Sequence, residues 1–225
     1  MAVRGTTRRL GRPKGPGLTK ARILDCAEAV FAEKGFKGTR TLEIARRARV
    51  SVASLHLHWK SKKNLYTAVY QRLFTQRATH AAQLLALIQQ AQATHLPRQE
   101  LLQAVVTHML DFFHQHPHAA RLYTYQVLEA QTIGVTLKPE QLGALLTTLT
   151  SFVRPFLVPA VARTTDVELT FLSFMLLVVG VFIQPHLLAE ILQEADPAAL
   201  EARLRQHLQQ TLDQLLVRRA EGPPA

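Results

Sequence analysis

An all-α fold is predicted for this 225-residue chain, with a small three-helix unit at the N-terminus and a larger helical unit after it. Three observations predict it. Apolar residues recur at three- and four-residue spacing through most of the sequence, and no two-residue alternation is strong enough to compete. Ser, Thr, Asp, Pro and Gly fall where such helices must start and stop. Positive charge is gathered at one end: residues 1–66 hold 16 Lys and Arg against 4 Asp and Glu, whereas residues 67–225 hold 11 against 12. Such asymmetry points to a polyanion, nucleic acid or an anionic membrane, at the N-terminal unit and to other work elsewhere. Nearly half the residues are apolar, enough for a sizeable core, which excludes disorder throughout.

Residues 1–18 carry Arg4, Arg8, Arg9, Arg12 and Lys14, no acid and little to bury, so a flexible basic arm is expected. Thr19 caps a helix to about Lys34, with Ile23, Ala27, Val30 and Phe31 on one face and Gly35 placed to end it. A second helix, Thr41 to Ala48, packs through Leu42, Ile44, Ala45 and Ala48. A turn at Arg49 and Val50 comes next, and Ser51 caps a short helix to about Leu57. Val50, Leu55 and Trp59 face inward there, leaving Val52, Ala53, Ser54, His56 and His58 outward; small side chains let a helix lie close to another surface. Ser61 caps a further helix whose first turn holds Lys62 and Lys63, a place where phosphate meets both lysine charge and free N–H groups.

That helix continues without Pro or Gly to about Ala93, either as one connector or as two helices broken near Thr79. Leu96 to Gln115 begins at Pro97, and His118 to Ile133 sets Leu122, Tyr125 and Leu128 on one side before Gly134. Pro139 to about Arg154 is the next helix, and Pro155 and Pro159 bend the chain beyond it. Asp166 to Gln184 is apolar almost all round and is expected to be buried from several sides. Its uncharged run, Leu169 to Gln184, has 16 residues and falls short of the ~20 a bilayer requires, so no membrane role is assigned to it. Asp196 caps the last helix, Pro197 to about Arg219, with Leu200, Leu204, Leu208, Leu212 and Leu215 as its stripe.

The segment from Arg22 to Leu65 resembles the N-terminal DNA-binding domain of TetR/AcrR-type (tetracycline-repressor-like) transcriptional regulators. The matching marks are Ile23, Leu24, Ala27, Phe31, Gly35, Phe36, Thr39, Ile44, Ala45, Val50, Ser51, Leu55, Lys62 and Leu65. Departures are Arg49 at the turn glycine, Ala53 at the recognition-helix glycine, His56 at the tyrosine, and Leu42 where some relatives place a base-reading arginine. The organisation expected is an arm at 1–18, a helix-turn-helix domain at 19–66 and a helical regulatory and dimerisation domain at 67–225. The resemblance implies a homodimer through the Asp166 to Gln184 and Pro197 to Arg219 helices; intrachain core packing explains the same apolar faces.

Candidate DNA contacts can be named from residue type. Val52 and Ala53 suit thymine methyl groups and Ser54 a base edge or phosphate, while Thr39, Arg40, His56, His58, Lys60 and Lys62 suit the backbone. Arg46, Arg47 and Arg49 are ambiguous with solvated charges. Gly11-Arg12-Pro13 is similar to the centre of a minor-groove hook, although a solvated tail reads equally well. A candidate effector pocket combines His108, Met109, Phe112, Tyr123, Tyr125, Phe152 and Phe156, with Phe113, Arg121, Glu129 and Arg154 nearby; aromatics at helical spacing also read as plain core.

His114, His116 and His118 straddle a proline and lack the spacing of helix ligands, so no metal and no cofactor is expected. No phosphate loop, nucleophile elbow or zinc-ligand helix is evident, so no enzyme and no catalytic residue is expected. Cys26 is the only cysteine, excluding an internal disulfide, and the first residues lack the apolar run of a secretory signal; a cytoplasmic location is the expectation. The sequence therefore points to a ligand-responsive, homodimeric regulator of transcription, a repressor on a near-palindromic operator in double-stranded DNA. The alternative is an architectural DNA-binding protein without an effector.

Overall fold

The computed structural model describes residues 16–133, 143, 146–148, 150–151, 154 and 166–217, with no strand among them. Two compact units divide the chain, Met1–Val69 and Tyr70–Ala225. The division falls three residues beyond the boundary expected from composition.

The first unit is built from α1 (Pro16–Gly38), α2 (Thr41–Arg47), α3 (Val52–Trp59) and the start of α4 (Lys62–Ala93). α1 begins at Pro16, ahead of Thr19, because proline is pre-shaped for a first helical turn. Its expected stop at Gly35 is present as a break: Gly35 has φ 65° and ψ −174°, a region that side chains exclude, and one more turn runs to Gly38. The reversal lets Phe36 return onto the core. There Tyr66 meets Phe31 edge-on at 4.8 Å and Phe36 at 5.0 Å between ring centroids. Ile23, Ala27 and Val30 of α1, Ile44, Ala45 and Ala48 around α2, Leu55 of α3 and Leu65 of α4 complete a buried apolar centre.

Charged side chains fasten α1 to α2 outside that centre. Lys34 Nζ donates to Glu43 at 2.8 Å, and Arg47 donates to Glu33 at 2.6 Å and Glu43 at 3.0 Å. Each pair is half-exposed and individually weak, but Glu43 and Arg47 each serve two partners. Glu43 is held below the usual carboxylate range, first by the Lys34 hydrogen bond. Cys26 is half-buried, and burial chiefly pushes its thiol up, the opposite of a reactive thiolate.

α4 is one unbroken helix of 32 residues, about 48 Å at 1.5 Å per residue. Thr79, the possible break, instead donates its hydroxyl to the Thr75 carbonyl within the helix. The second unit contains α4 from Tyr70 onward, α5 (Arg98–Gln115), α6 (Ala119–Ile133), α7 (Val167–Ile183), α8 (Pro185–Leu192) and α9 (Pro197–Val217). Tyr70 donates to the Leu122 carbonyl at 2.7 Å, tying α4 to α6. Phe113 of α5 stacks on Phe182 of α7 at 5.0 Å, and Arg205 of α9 donates to Thr107 of α5 at 2.7 Å.

Several sequence expectations are corrected by the packing. Leu128 is 71 % exposed, so the buried side of α6 runs through Leu122, Gln126 and Ile133 instead. α7 buries one side, through its Val167, Phe174 and Val178, whereas Leu169, Leu172, Leu176 and Leu177 are exposed with Ser173 and Gly180. The α9 stripe is intrachain core at Leu200, Leu208 and Leu212, packed on α5. α8 has no counterpart in the sequence expectation: Pro185 cannot continue α7 and opens a new helix bent 89° from it. Among the described residues no single helix is long and apolar enough to cross a membrane, although the bent α7–α8 pair passes by length and composition. The helix expected from Pro139 lies largely outside the described residues, as do the arm through residue 15, Pro155 and Pro159.

A histidine clasp joins α4 to α5. His80 Nε2 lies 2.7 Å from the His108 carbonyl, His108 Nε2 lies 2.9 Å from the His80 carbonyl, and the rings stack at 3.7 Å. Carbonyls only accept, so both Nε2 atoms carry the proton and both Nδ1 atoms are bare in the neutral pair. Burial, above all, pushes His80 below its ordinary 6.5; the His108 carbonyl and Asp111 oppose this, and the His108 and His116 rings reinforce it. A depressed histidine is protonated in the unfolded chain first, so the clasp's contribution is complete above pH 6.5 and is lost as pH falls through the folded pKa. Melting followed by circular dichroism is expected to show that loss, and His80→Gln to flatten it. Fluorescence of the single tryptophan, Trp59, reports the first unit separately.

Candidate nucleic-acid interface

The turn between α2 and α3 sets how α3 is presented. Ala48 closes α2, Arg49 takes φ 51°, and the Val50 N–H returns to the Ala45 carbonyl at 3.0 Å. Arg49 therefore holds a left-handed position that glycine would occupy without strain. Ser51 then accepts the Ser54 N–H on its hydroxyl at 3.0 Å, the expected cap. Lys60, at φ 38°, ends the helix, and Ser61 caps α4 by accepting the Asn64 N–H at 3.1 Å. Two serine caps thus delimit an eight-residue helix.

Leu55 is buried and Trp59 half-buried, which turns the opposite side of α3 outward. Ala53, His56 and Lys60 are exposed, while Val52, Ser54 and His58 are half-buried at its margins. Leu57 stands among the outward residues at 81 % exposure, the most exposed large apolar side chain of the first unit among the described residues. It is missing from the contacts expected from sequence, which end the helix at that residue. His56 Nδ1 lies 3.3 Å from the Lys60 carbonyl, which ties the ring along the helix.

Two expected phosphate contacts are corrected. Thr39 is 2 % exposed and donates its hydroxyl to the Gly35 carbonyl at 2.6 Å, so its side chain does not face solvent. Lys62 donates to the Phe36 carbonyl at 2.8 Å and the Thr39 carbonyl at 2.9 Å, and its ammonium lies 4.2 Å from the Phe36 ring centroid. It serves the Phe36 carbonyl, which also accepts the Thr39 N–H at 3.3 Å, and the Thr39 carbonyl, rather than reaching outward. Arg47, ambiguous in sequence, is committed to Glu33 and Glu43. Arg40, Arg46, Lys60 and Lys63 are exposed, and Arg40 makes no capping bond to α2.

The expected effector residues fall in the second unit. His108 is in the clasp; Met109 and Phe112 are buried, and Tyr123 and Tyr125 are half-buried. Arg121 donates to the Ile183 carbonyl at 3.0 Å and Arg154 pairs with Glu168 at 3.0 Å, so both act on α7. Glu168 is held below the usual carboxylate range, first by that Arg154 bond. Phe152 and Phe156 lie outside the described residues. Among the described residues no three His, Cys, Asp or Glu side chains are grouped to hold a metal ion.

Residues 23–69, the span of this helix-turn-helix unit, match the family described as bacterial regulatory proteins, tetR family. Over these residues the chain is similar to the TetR family. It is 33 % identical over 103 residues to the transcriptional activator FasR of Mycolicibacterium smegmatis, covering 46 % of this chain and 44 % of FasR. It is 43 % identical over 47 residues to IcaR of Staphylococcus aureus, a negative transcriptional regulator of a biofilm operon, covering 21 % and 25 %. The chain thus matches less than half the length of either relative. Among solved structures, SCO4942 of Streptomyces coelicolor aligns with TM-score 0.61 at 22 % identity, over 89 % of this chain and 99 % of that one. A TetR-like transcriptional regulator of Rhodococcus sp. RHA1 aligns with TM-score 0.59 at 20 % identity, over 96 % and 100 %. These likenesses show that the fold common to TetR-like proteins extends into the second unit.

In this unit, Lys62→Met is expected to lower stability by roughly 1–3 kcal/mol, because it removes the charged donor shared by the Phe36 and Thr39 carbonyls and leaves the former only its 3.3 Å bond from the Thr39 N–H. A drop in the Trp59-reported denaturation midpoint checks this; an unchanged midpoint would show that Lys62 does not hold the turn.

Proposed function

We propose that the protein is a ligand-responsive transcriptional regulator, a homodimeric repressor that presents one α3 per subunit to a near-palindromic operator. The observation that carries the reading is the outward face of α3, where Ala53, His56 and Leu57 project beside exposed Lys60. A leucine 81 % exposed gains nothing for the fold, and a groove lined by thymine methyl groups covers it. No Arg, Asn or Gln stands on α3, so specificity rests on apolar contact, on His56 and Ser54 at base edges, and on DNA shape. Arg40, His58, Lys60 and Lys63 supply backbone contacts. Two such helices enter successive major grooves when their centres lie about 34–36 Å apart.

The outward leucines of α7 support the dimer. Leu169, Leu172 and Leu176 form one stripe with the small residues Ser173 and Gly180, and a Cβ added at Gly180 meets nothing within 4 Å. A second copy related by a two-fold axis covers the stripe with its own. α4 gives effector binding a route to α3, because one helix carries residues of both units. An effector that prefers a different dimer spacing lowers DNA affinity by the factor by which DNA lowers its own. Relatives matched through this domain include an activator and a negative regulator; repression is proposed for steric occlusion of an operator.

Selection of bound duplexes from a random pool is expected to return a two-fold symmetric site preferred over random DNA by ~10³ or more. A much smaller preference would favour the architectural alternative. With that site in hand, Leu57→Ala is expected to alter base preference at one position of each half-site. Lys60→Ala is expected to weaken all sequences alike and lower the salt slope by about 0.9 per lost phosphate contact.

Leu176→Arg is expected to convert a dimer to a monomer in sedimentation equilibrium while leaving helicity intact. A variant that stayed dimeric would place the interface elsewhere.

A further inference from the structure

The second unit contains a buried polar group that neither the fold nor the clasp uses. The Tyr123 hydroxyl on α6 is buried with no acceptor for its proton among the described residues, Arg77 being a neighbour that can only donate toward it. Its ring meets Phe113 of α5 edge-on at 6.5 Å, and Phe113 in turn stacks on Phe182 of α7. Across the ring stands Arg77 of α4, its guanidinium carbon 5.6 Å from the ring centroid. Among the described residues no carboxylate lies within ion-pair distance of Arg77, whereas Arg121 and Arg205 of the same unit each have a defined acceptor. Gln76, one residue earlier on α4, has its amide oxygen buried without a donor.

Packed interiors rarely leave such atoms unmatched, and a desolvated hydroxyl beside a cation strongly favours a negative oxygen between them. From this juxtaposition we infer that Tyr123 and Arg77 form the recognition end of an effector site for an organic anion, a carboxylate with an apolar body. The phenol donates one hydrogen bond to a carboxylate oxygen, and the guanidinium supplies charge and a second donor. Phe113 and Phe182 offer the apolar body a ring surface. Burial pushes the Tyr123 phenol up to about 12, against the charge of Arg77 and, less, hydrogen bonding from it, so it remains a protonated donor across the physiological range. The inference rests on the ligand-responsive reading above and gives that ligand a chemical class.

Full-length protein is titrated by calorimetry with decanoate and with naphthoate, and with the matching neutral alcohols. Both the aliphatic and the aromatic arm are run because the ring surface accepts either body. At least one carboxylate is expected to bind at least tenfold more tightly than its alcohol, and Arg77→Gln and Tyr123→Phe each to weaken it by about tenfold. Tyr123→Phe also separates recognition from scaffolding. Removing an unmatched hydroxyl leaves the unliganded melting temperature unchanged or raises it, whereas removing one that holds the fold together lowers it.

Binding of neither carboxylate, equal binding of acid and alcohol, or variants that bind as the parent does would each overturn the site. So would a lowered melting temperature of Tyr123→Phe with unchanged affinity. Duplex binding measured on the same preparations keeps the two readings apart. Retained DNA affinity without an anion effect removes this site alone, and anion binding without DNA affinity removes the regulator alone.

Discussion

The first unit depends on what happens to the carbonyls at the end of α1. Gly35 reverses the backbone and Phe36 packs on Tyr66, while the Phe36 carbonyl keeps a 3.3 Å bond from the Thr39 N–H and shares Lys62 with the Thr39 carbonyl. Lys62, the first residue of α4, meets both carbonyls and lays its ammonium against the Phe36 ring. One side chain therefore ties the end of the support helix to the start of the helix that leaves the unit. α2 and α3 are strung between those two fixed points, with the Glu33–Arg47–Glu43–Lys34 pairs steadying the first of them. α3 is presented by this frame, by the turn at Arg49 and by the seating of its own Leu55 in the core.

Each unit then leaves a few groups uncovered or unmatched, and function is proposed from these. α3 turns Ala53, His56 and Leu57 outward because Leu55 and Trp59 are held by the core. α7 turns a leucine stripe outward because Phe174 and Val178 take its inner side. Tyr123 keeps a phenol, and Arg77 a guanidinium, that the surrounding helices do not satisfy with a carboxylate. Interiors tolerate little unmatched polarity and surfaces little contiguous apolar area, so such remainders are the informative part of the molecule.

Much of the first unit is legible because capping and helical period are local. Ser51 and Ser61 announce their helices through a hydroxyl that serves an N–H three residues on, a distance the chain spans by itself. The break at Gly35 is legible because glycine alone occupies that backbone region without strain. Lys62 misleads for the opposite reason: its partners lie 26 and 23 residues away, and nothing beside it reveals them. Thr39 misleads because a polar residue in a loop reads as exposed until the core is seen to close over it. Leu57 escapes notice because it stands at the expected end of the helix, assigned to neither the inward nor the outward set.

Helical character, most element boundaries and the segregation of positive charge can all be read without coordinates, since they depend on spacing, capping and composition. Which polar groups are already satisfied emerges only once the chain has folded. A lysine, a threonine or an arginine is free for a ligand only when no distant part of the chain has engaged it. Packing across helices makes that assignment, between partners far apart in sequence that carry no local signature.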